Sequence, residues 1–242
     1  HLEHVYGEYT VKSEPQGKKM GVRTAVCTLC GKEVTEKFYN EGTLYEGMTP
    51  CEAVMRMQTM LKDLGYYNGS IRTGTFGECA APLYYEDAVR DAILTYKFRG
   101  RVEYLNCFGA LMAETAASAF ADRFDAVTWV PVSGKRLKKR GFDQSRMLCA
   151  SLCVDWHIQP LETLRKVRDN PPQSGLEDAA ARRANVLGVY EPVDPAAFRG
   201  KRLLLIDDIL TTGATLTECV RVLKDAGAAD VVCLTLAMVR DK

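Results

Sequence analysis

One stretch near the C-terminus constrains this chain more than any other. Leu203-Leu204-Leu205-Ile206 is an apolar run with Lys201-Arg202 before it and Asp207-Asp208 after it, as expected of a strand buried on both faces. Ile209-Leu210-Thr211-Thr212-Gly213-Ala214-Thr215 comes next, then Leu216, Cys219, Val220 and Leu223 at helical spacing, with Gly227 as the stop. Val231 to Met238 reads as another buried strand, which completes a β-loop-α-β unit. Such a unit needs a parallel sheet with helices against it.

The loop in this unit has the composition of an anion site. Backbone N–H groups without partners converge at a helix start, where the helix dipole is positive. Thr211, Thr212 and Thr215 add hydroxyls, Gly213 lets the backbone come close to a phosphate, and Ala214 adds no bulk. Neither G-x-x-x-x-G-K-[ST] nor G-x-G-x-x-G occurs, so the usual nucleotide and dinucleotide loops are absent. Adjacent Asp207 and Asp208 repel one another unless a ligand or cation uses them. A ribose diol offers two hydroxyl donors to such a pair. Phosphate in the loop and diol on the acids together describe a ribose 5-phosphate at the carboxyl end of a parallel strand.

These residues, Leu203 through Thr215, resemble the phosphoribosyl pyrophosphate (PRPP) motif of type I phosphoribosyltransferases. From about Cys79 to Met238 the chain resembles the ComF family. The resemblance rests also on Tyr96-Lys97-Phe98-Arg99-Gly100, on Val130-Pro131-Val132 with Arg140-Gly141-Phe142-Asp143-Gln144, and on Pro172-Gln173-Ser174-Gly175-Leu176 with Arg182-Arg183-Ala184-Asn185-Val186. It implies an α/β, type I phosphoribosyltransferase-like fold with a central, mostly parallel sheet flanked by helices, beside a small irregular N-terminal module. It also implies that Asp207 and Asp208 hold the ribose of PRPP while Thr211 to Thr215 hold its 5-phosphate, with Mg²⁺ accompanying the ligand. A departing pyrophosphate needs positive charge, and Ser133-Gly134-Lys135-Arg136-Leu137-Lys138-Lys139-Arg140 supplies five cations. Ser133, Gly134, Lys135, Arg136 and Arg140 are the expected pyrophosphate contacts. Arg165 to Leu176, with Arg165, Lys166, Arg168 and Gln173, reads as either a lid or a plain connector.

Patterns elsewhere predict helices over Ala88 to Tyr96, Tyr104 to Phe120, Gln144 to Val154 and Ala179 to Asn185, and strands over Ala126 to Val132 and Val186 to Tyr190. Three parts are expected: a Cys/Gly-rich irregular or zinc-ribbon-like segment over 1–48, a helical segment over 49–78, and the ComF-type domain over 79–242. Thr49 to Leu64 has helical spacing, and the segment resembles half of a peptidoglycan-binding module. Residues 1–40 are similar to Cys/Gly repeats of Gram-positive surface proteins. Cys27 and Cys30 make half of a zinc site, which His1 and His4 would complete in an unusual order.

Composition narrows the classes of function. Of 242 residues, 47% are hydrophobic and 26% charged, and the net charge is +1, which argues against nucleic-acid binding through overall basicity. The nine cysteines are odd in number and scattered, so a disulfide scaffold is not expected and the larger part reads as cytoplasmic. His157 is the only histidine beyond the first four residues, which disfavours histidine-dependent hydrolases, and it reads as a connector. No apolar run is long enough to span a membrane. The first residue is His1 and not the cysteine of a glutaminase, so ammonia transfer from glutamine is not expected.

Two functions of different kind fit these observations. One is an enzyme of phosphoribosyl transfer; the other is an accessory protein of competence and DNA uptake, with the basic run and Phe142 on single-stranded DNA. A cell-wall role through the N-terminal third ranks last. A homodimer stays open, and the acceptor substrate is not legible.

Overall fold

The computed structural model describes residues 7–13, 21–28, 30–38, 65, 67–99, 104–169 and 185–240. Two compact units divide at Gly65 and Tyr66. The predicted helix over Thr49 to Leu64 lies outside the described residues, as do His1, His4 and most of the expected helix over Ala179 to Asn185.

In the first unit, β1 (Thr10–Ser13), β2 (Gly21–Val26) and β3 (Glu33–Phe38) form an antiparallel sheet in sequence order. Where it is described, the segment expected to be irregular or zinc-ribbon-like is this sheet. Backbone pairing holds it, from Gly21 opposite Phe38 to Val26 opposite Glu33, and this leaves little trace in side-chain periodicity. Cys27 and Cys30 sit at the β2–β3 turn, where the Gly31 N–H donates to the Cys27 carbonyl at 2.9 Å. Among the described residues no group of three or more His, Cys, Asp or Glu is placed to hold a metal ion.

The second unit is built on a five-stranded sheet in the order β4-β5-β10-β9-β6. Its strands are β4 (Tyr67–Gly74), β5 (Gly77–Tyr84), β6 (Ala126–Trp129), β9 (Arg202–Leu210) and β10 (Asp230–Met238). β5, β10, β9 and β6 run parallel to their neighbours, and β4 alone is antiparallel, as the second arm of a hairpin with β5. The sheet thus begins upstream of Cys79, because β4 completes an edge that β5 would otherwise leave open. β10 is buried almost end to end and β9 is buried through Leu203 to Ile206, matching their apolar runs. β6 stops short of the predicted Val132; the Val130 N–H still donates to the Ile206 carbonyl at 2.9 Å, and Pro131 has none to give.

Helices α1 (Asp87–Arg99), α2 (Tyr104–Phe120) and α4 (Gln144–Asp155) fall where side-chain spacing puts them. α2 and α4 pack on each other and on the sheet. On the opposite face, Leu203, Leu205, Val231 and Cys233 share a core with Leu216, Cys219 and Leu223 of α6 (Ala214–Asp225) and with Phe198 of the one-turn α5 (Pro195–Phe198). A separate two-stranded ribbon pairs β7 (Leu164–Lys166) with β8 (Tyr190–Pro192). The strand expected over Val186 to Tyr190 is instead a helical turn leading into β8. Among the described residues no helix is long and apolar enough to cross a membrane.

Leu205 is fully buried on the interior strand β9. Leu205→Ala is expected to cost about 2–5 kcal/mol. In urea the unfolding midpoint should fall while the slope stays constant.

Candidate functional site

The site forms because the parallel strands β6 and β9 end on the same side of the sheet, with Ala126 in register with Leu203. The segments that leave the two strands then face the same space. After β6, Ser133 starts α3 (Gly134–Arg140), its hydroxyl accepting from the Arg136 N–H, and Gly141 closes the helix with a left-handed φ of 83°. After β9, Gly213 leads into α6. Between them lies a cleft of about 270 Å³ lined by, among others, Lys97, Arg136, Arg140, Lys166, Asp207, Asp208, Thr211 and Thr215.

The acidic pair is held tightly. β9 runs on through Leu210, so both carboxylates belong to the strand and not to the loop after it. Ser145 Oγ donates to Asp207 Oδ1 at 3.0 Å, and the Asp208 N–H donates to the same oxygen at 2.9 Å. Lys97 Nζ lies 2.7 Å from Asp208 Oδ2. Among the described residues, one oxygen of each acid, Asp207 Oδ2 and Asp208 Oδ1, is left to meet a ligand. Burial, reinforced by the neighbouring Asp208, raises the Asp207 carboxyl to about 7.

Two sequence motifs converge to supply these partners. Tyr96, fully buried at the end of α1, donates its hydroxyl to the Gln144 carbonyl at 2.9 Å and packs edge-on to Phe108. This fixes Lys97 beside the acids. Asp143 caps α4 through the Arg146 N–H and accepts from the Val132 N–H at 3.0 Å, joining the α4 start to the β6 exit. Ser145 is thereby placed under Asp207. Phe142 leans on Tyr96, with ring centres 5.8 Å apart, so much of its ring serves internal packing.

α3 divides the basic run between two surfaces. Arg136 and Arg140, four residues apart, line the cleft, whereas Gly134, Lys135, Lys138 and Lys139 are exposed. Ser133 is buried as a helix cap. In the other loop Thr211 and Thr215 line the cleft, Thr212 is exposed, and Gly213 and Ala214 are buried. Gly213 has a φ of 78°, and a Cβ there would sit 2.3 Å from the Phe76 ring. The β4–β5 turn thus buttresses the loop, and Thr75 Oγ1 meets Thr217 Oγ1 at 2.8 Å beside it.

Sequence reasoning passed over Lys97, Ser145, Lys166 and Tyr190 as site residues. Lys97 lies inside Tyr96-Lys97-Phe98-Arg99-Gly100, and its position next to a core tyrosine is the signal that marks it. Lys166 and Arg165 occupy β7 and not a lid; Arg165 pairs with Glu191 at 2.8 Å across the ribbon, and the rest of that segment past Asp169 lies outside the described residues. Lys166 Nζ is 5.2 Å from the centre of the Tyr190 ring, and burial, helped by Arg136, lowers its ammonium to about 8.

Comparison with known proteins agrees with this architecture. Residues 148–242 match the phosphoribosyl transferase domain family. Competence protein ComFC of Bacillus subtilis (strain 168) is 31% identical over 153 residues, which cover 63% of this chain and 60% of that protein. The chain has a phosphoribosyltransferase-like α/β fold and is similar to ComFC over about three fifths of its length. DNA utilization protein YhgH of Escherichia coli O157:H7 is 33% identical over 117 residues, 46% of this chain and 50% of that protein. The chain thus matches about half to three fifths of the length of these two relatives. A solved glutamine PRPP amidotransferase from B. subtilis aligns with 88% of this chain and 35% of its own, at 18% identity and a TM-score of 0.38. Nothing in these comparisons supports the peptidoglycan-binding resemblance.

Gly213→Ala is expected to cost about 1–3 kcal/mol from overpacking against Phe76, measured by thermal unfolding. Adding Phe76→Leu should recover the packing loss and leave the strain of the left-handed backbone. The raised Asp207 carboxyl keeps its proton in the folded protein between pH 3.8 and about 7, where the unfolded chain has released it. Stability from this group therefore falls as pH rises through that window. The melting temperature of Asp207→Asn should gain on the native protein between pH 5 and 8, by roughly 2–4 °C per kcal/mol.

Proposed function

We propose that the cleft binds the ribose 5-phosphate portion of PRPP and serves phosphoribosyl transfer. The observation that carries this reading is the meeting, in one cleft, of two open carboxylate oxygens and a hydroxyl-bearing loop at the start of α6. A vicinal diol donates two hydrogen bonds, and two acceptors await it above about pH 7, where Asp207 has released its proton. The 5-phosphate takes the N–H groups at the α6 start with Thr211 and Thr215, where the helix dipole favours an anion. Arg136 and Arg140 stabilise negative charge that grows on a departing pyrophosphate. Lys166 and Tyr190, on the ribbon, line the same cleft.

Mg²⁺ belongs to this reading as a companion of the ligand's phosphates. The acidic pair does not fit a resident Mg²⁺, because an ammonium already contacts one acid and repels a dication there. A cytoplasmic setting suits this reading, since Cys79, Cys107, Cys149, Cys153, Cys219 and Cys233 are all thiols.

The exposed Lys135, Lys138 and Lys139 favour a second reading, in which the outer face of α3 takes single-stranded DNA in competence or DNA uptake. Triple replacement by glutamine should then weaken DNA binding and flatten its dependence on salt. Ribose 5-phosphate binding would stay as it was.

Calorimetry with ribose 5-phosphate and with PRPP plus Mg²⁺ tests the main reading. Thr215→Val and Asp208→Asn should each weaken binding by about 10-fold to 150-fold, the worth of one hydrogen bond to a charged group. Unaltered affinity in both variants would remove the sugar phosphate from this cleft.

A further inference from the structure

The structure points to Lys97 as the built-in counter-ion of the acidic pair, which leaves Asp207 and Asp208 as hydroxyl acceptors and denies them a divalent cation of their own. We infer that any Mg²⁺ reaching the cleft arrives on the phosphates of the ligand. The nature of the ligand is taken from the sugar phosphate reading; the ion pair stands without it.

Three observations carry the inference. Lys97 Nζ is 2.7 Å from Asp208 Oδ2, with the lysine side chain 13% and the aspartate 19% exposed, so the contact is largely shielded from water and salt. Lys97 is held there from behind: the preceding Tyr96 is fully buried, hydrogen-bonded to the Gln144 carbonyl and packed between Phe108 and Phe142. The ammonium is therefore placed by the core of the unit, whereas a surface lysine would choose its own rotamer. The third observation is the oxygen count. Asp207 Oδ1 already accepts from Ser145 Oγ and from the Asp208 N–H, and Asp208 Oδ2 takes the ammonium. Two open oxygens match a diol, and the ammonium on Asp208 repels the hydrated Mg²⁺ that one or two carboxylates can otherwise hold. Arg140, on the same cleft wall, adds further positive charge against a bare dication.

Lys97 also solves the problem the two acids pose. Neighbouring carboxylates in a partly buried strand would lose one charge to protonation or recruit a cation from solution. An ammonium fixed beside Asp208 supplies the positive charge that such a pair calls for. A diol takes the open oxygen of each acid while the lysine keeps its own, so binding need not break the ion pair.

Mn²⁺ serves as the probe, followed by electron paramagnetic resonance on the full chain with no sugar present. Native protein and Asp208→Asn should bind Mn²⁺ alike, because the pair contributes no site. Lys97→Met should gain Mn²⁺ binding, at least about tenfold tighter than native, since a nearby positive charge has gone. That gain should vanish in the Lys97→Met, Asp208→Asn double variant, and Lys97→Arg should behave as the native protein. The proposal is overturned if native protein loses a Mn²⁺ site on Asp208→Asn, or if folded Lys97→Met gains none. Should Lys97→Met not fold, the comparison of native protein with Asp208→Asn decides alone. Ribose 5-phosphate calorimetry is read separately: absence of sugar binding with the expected Mn²⁺ pattern would end the sugar reading and leave Lys97 in its role.

Discussion

Two carboxylates side by side on an interior strand set the conditions for the rest of the second unit. Asp207 and Asp208 come directly after four apolar residues of β9, where solvation is poor and their mutual repulsion is strong. Charge in such a place is tolerated only with partners. Ser145 comes to Asp207 from the first turn of α4, and Lys97 comes to Asp208 from the last turn of α1. The placement of both helices therefore answers to the strand they serve as well as to their own apolar faces.

The motifs that stand far apart in the chain acquire a common purpose through this pair. Tyr96 and Gln144 are 48 positions apart and joined by one hydrogen bond, and that bond ties the lysine supplier to the serine supplier. Asp143 performs a related task by capping α4 while holding the backbone that leaves β6. α3 then turns two arginines into the cleft and most of its lysines toward solvent, so one basic run supports two surfaces of different chemistry. The match to the phosphoribosyl transferase domain family starts at residue 148 and takes in the acids and the loop, whereas Lys97, Arg136, Arg140 and Ser145 precede it.

The hydroxyl-bearing loop is supported from a direction that local pattern does not show. Phe76, from the β4–β5 turn, fills the space above Gly213, which explains the glycine more directly than ligand approach does. Thr75 reaches Thr217 of the same helix. An edge hairpin upstream of the apparent domain start is thus part of the frame that sets the loop's shape. Glu218 of α6 adds a link toward the ribbon by accepting from the Gly188 N–H at 2.8 Å.

Much of the fold and half of the site were legible in the sequence. Strands β9 and β10 announce themselves as apolar runs, and α2, α4 and α6 as helical spacing, because burial of one stripe or two faces leaves a local periodic record. The acids, the threonines and the run holding Arg136 and Arg140 were legible because their chemistry is contiguous in the chain. Lys97, Ser145, Lys166 and Tyr190 were not, since each enters the cleft from a separate element and its neighbours in sequence say nothing of its neighbours in space. The same holds for β4, an edge strand whose pairing is made by backbone. Sequence alone determined where two acids and a hydroxyl-bearing loop follow a buried strand, through residue types at fixed short spacing. Tertiary structure alone decided which charges face each other there, because the strength of an ion pair depends on distance and shielding, and only the packed fold sets either one.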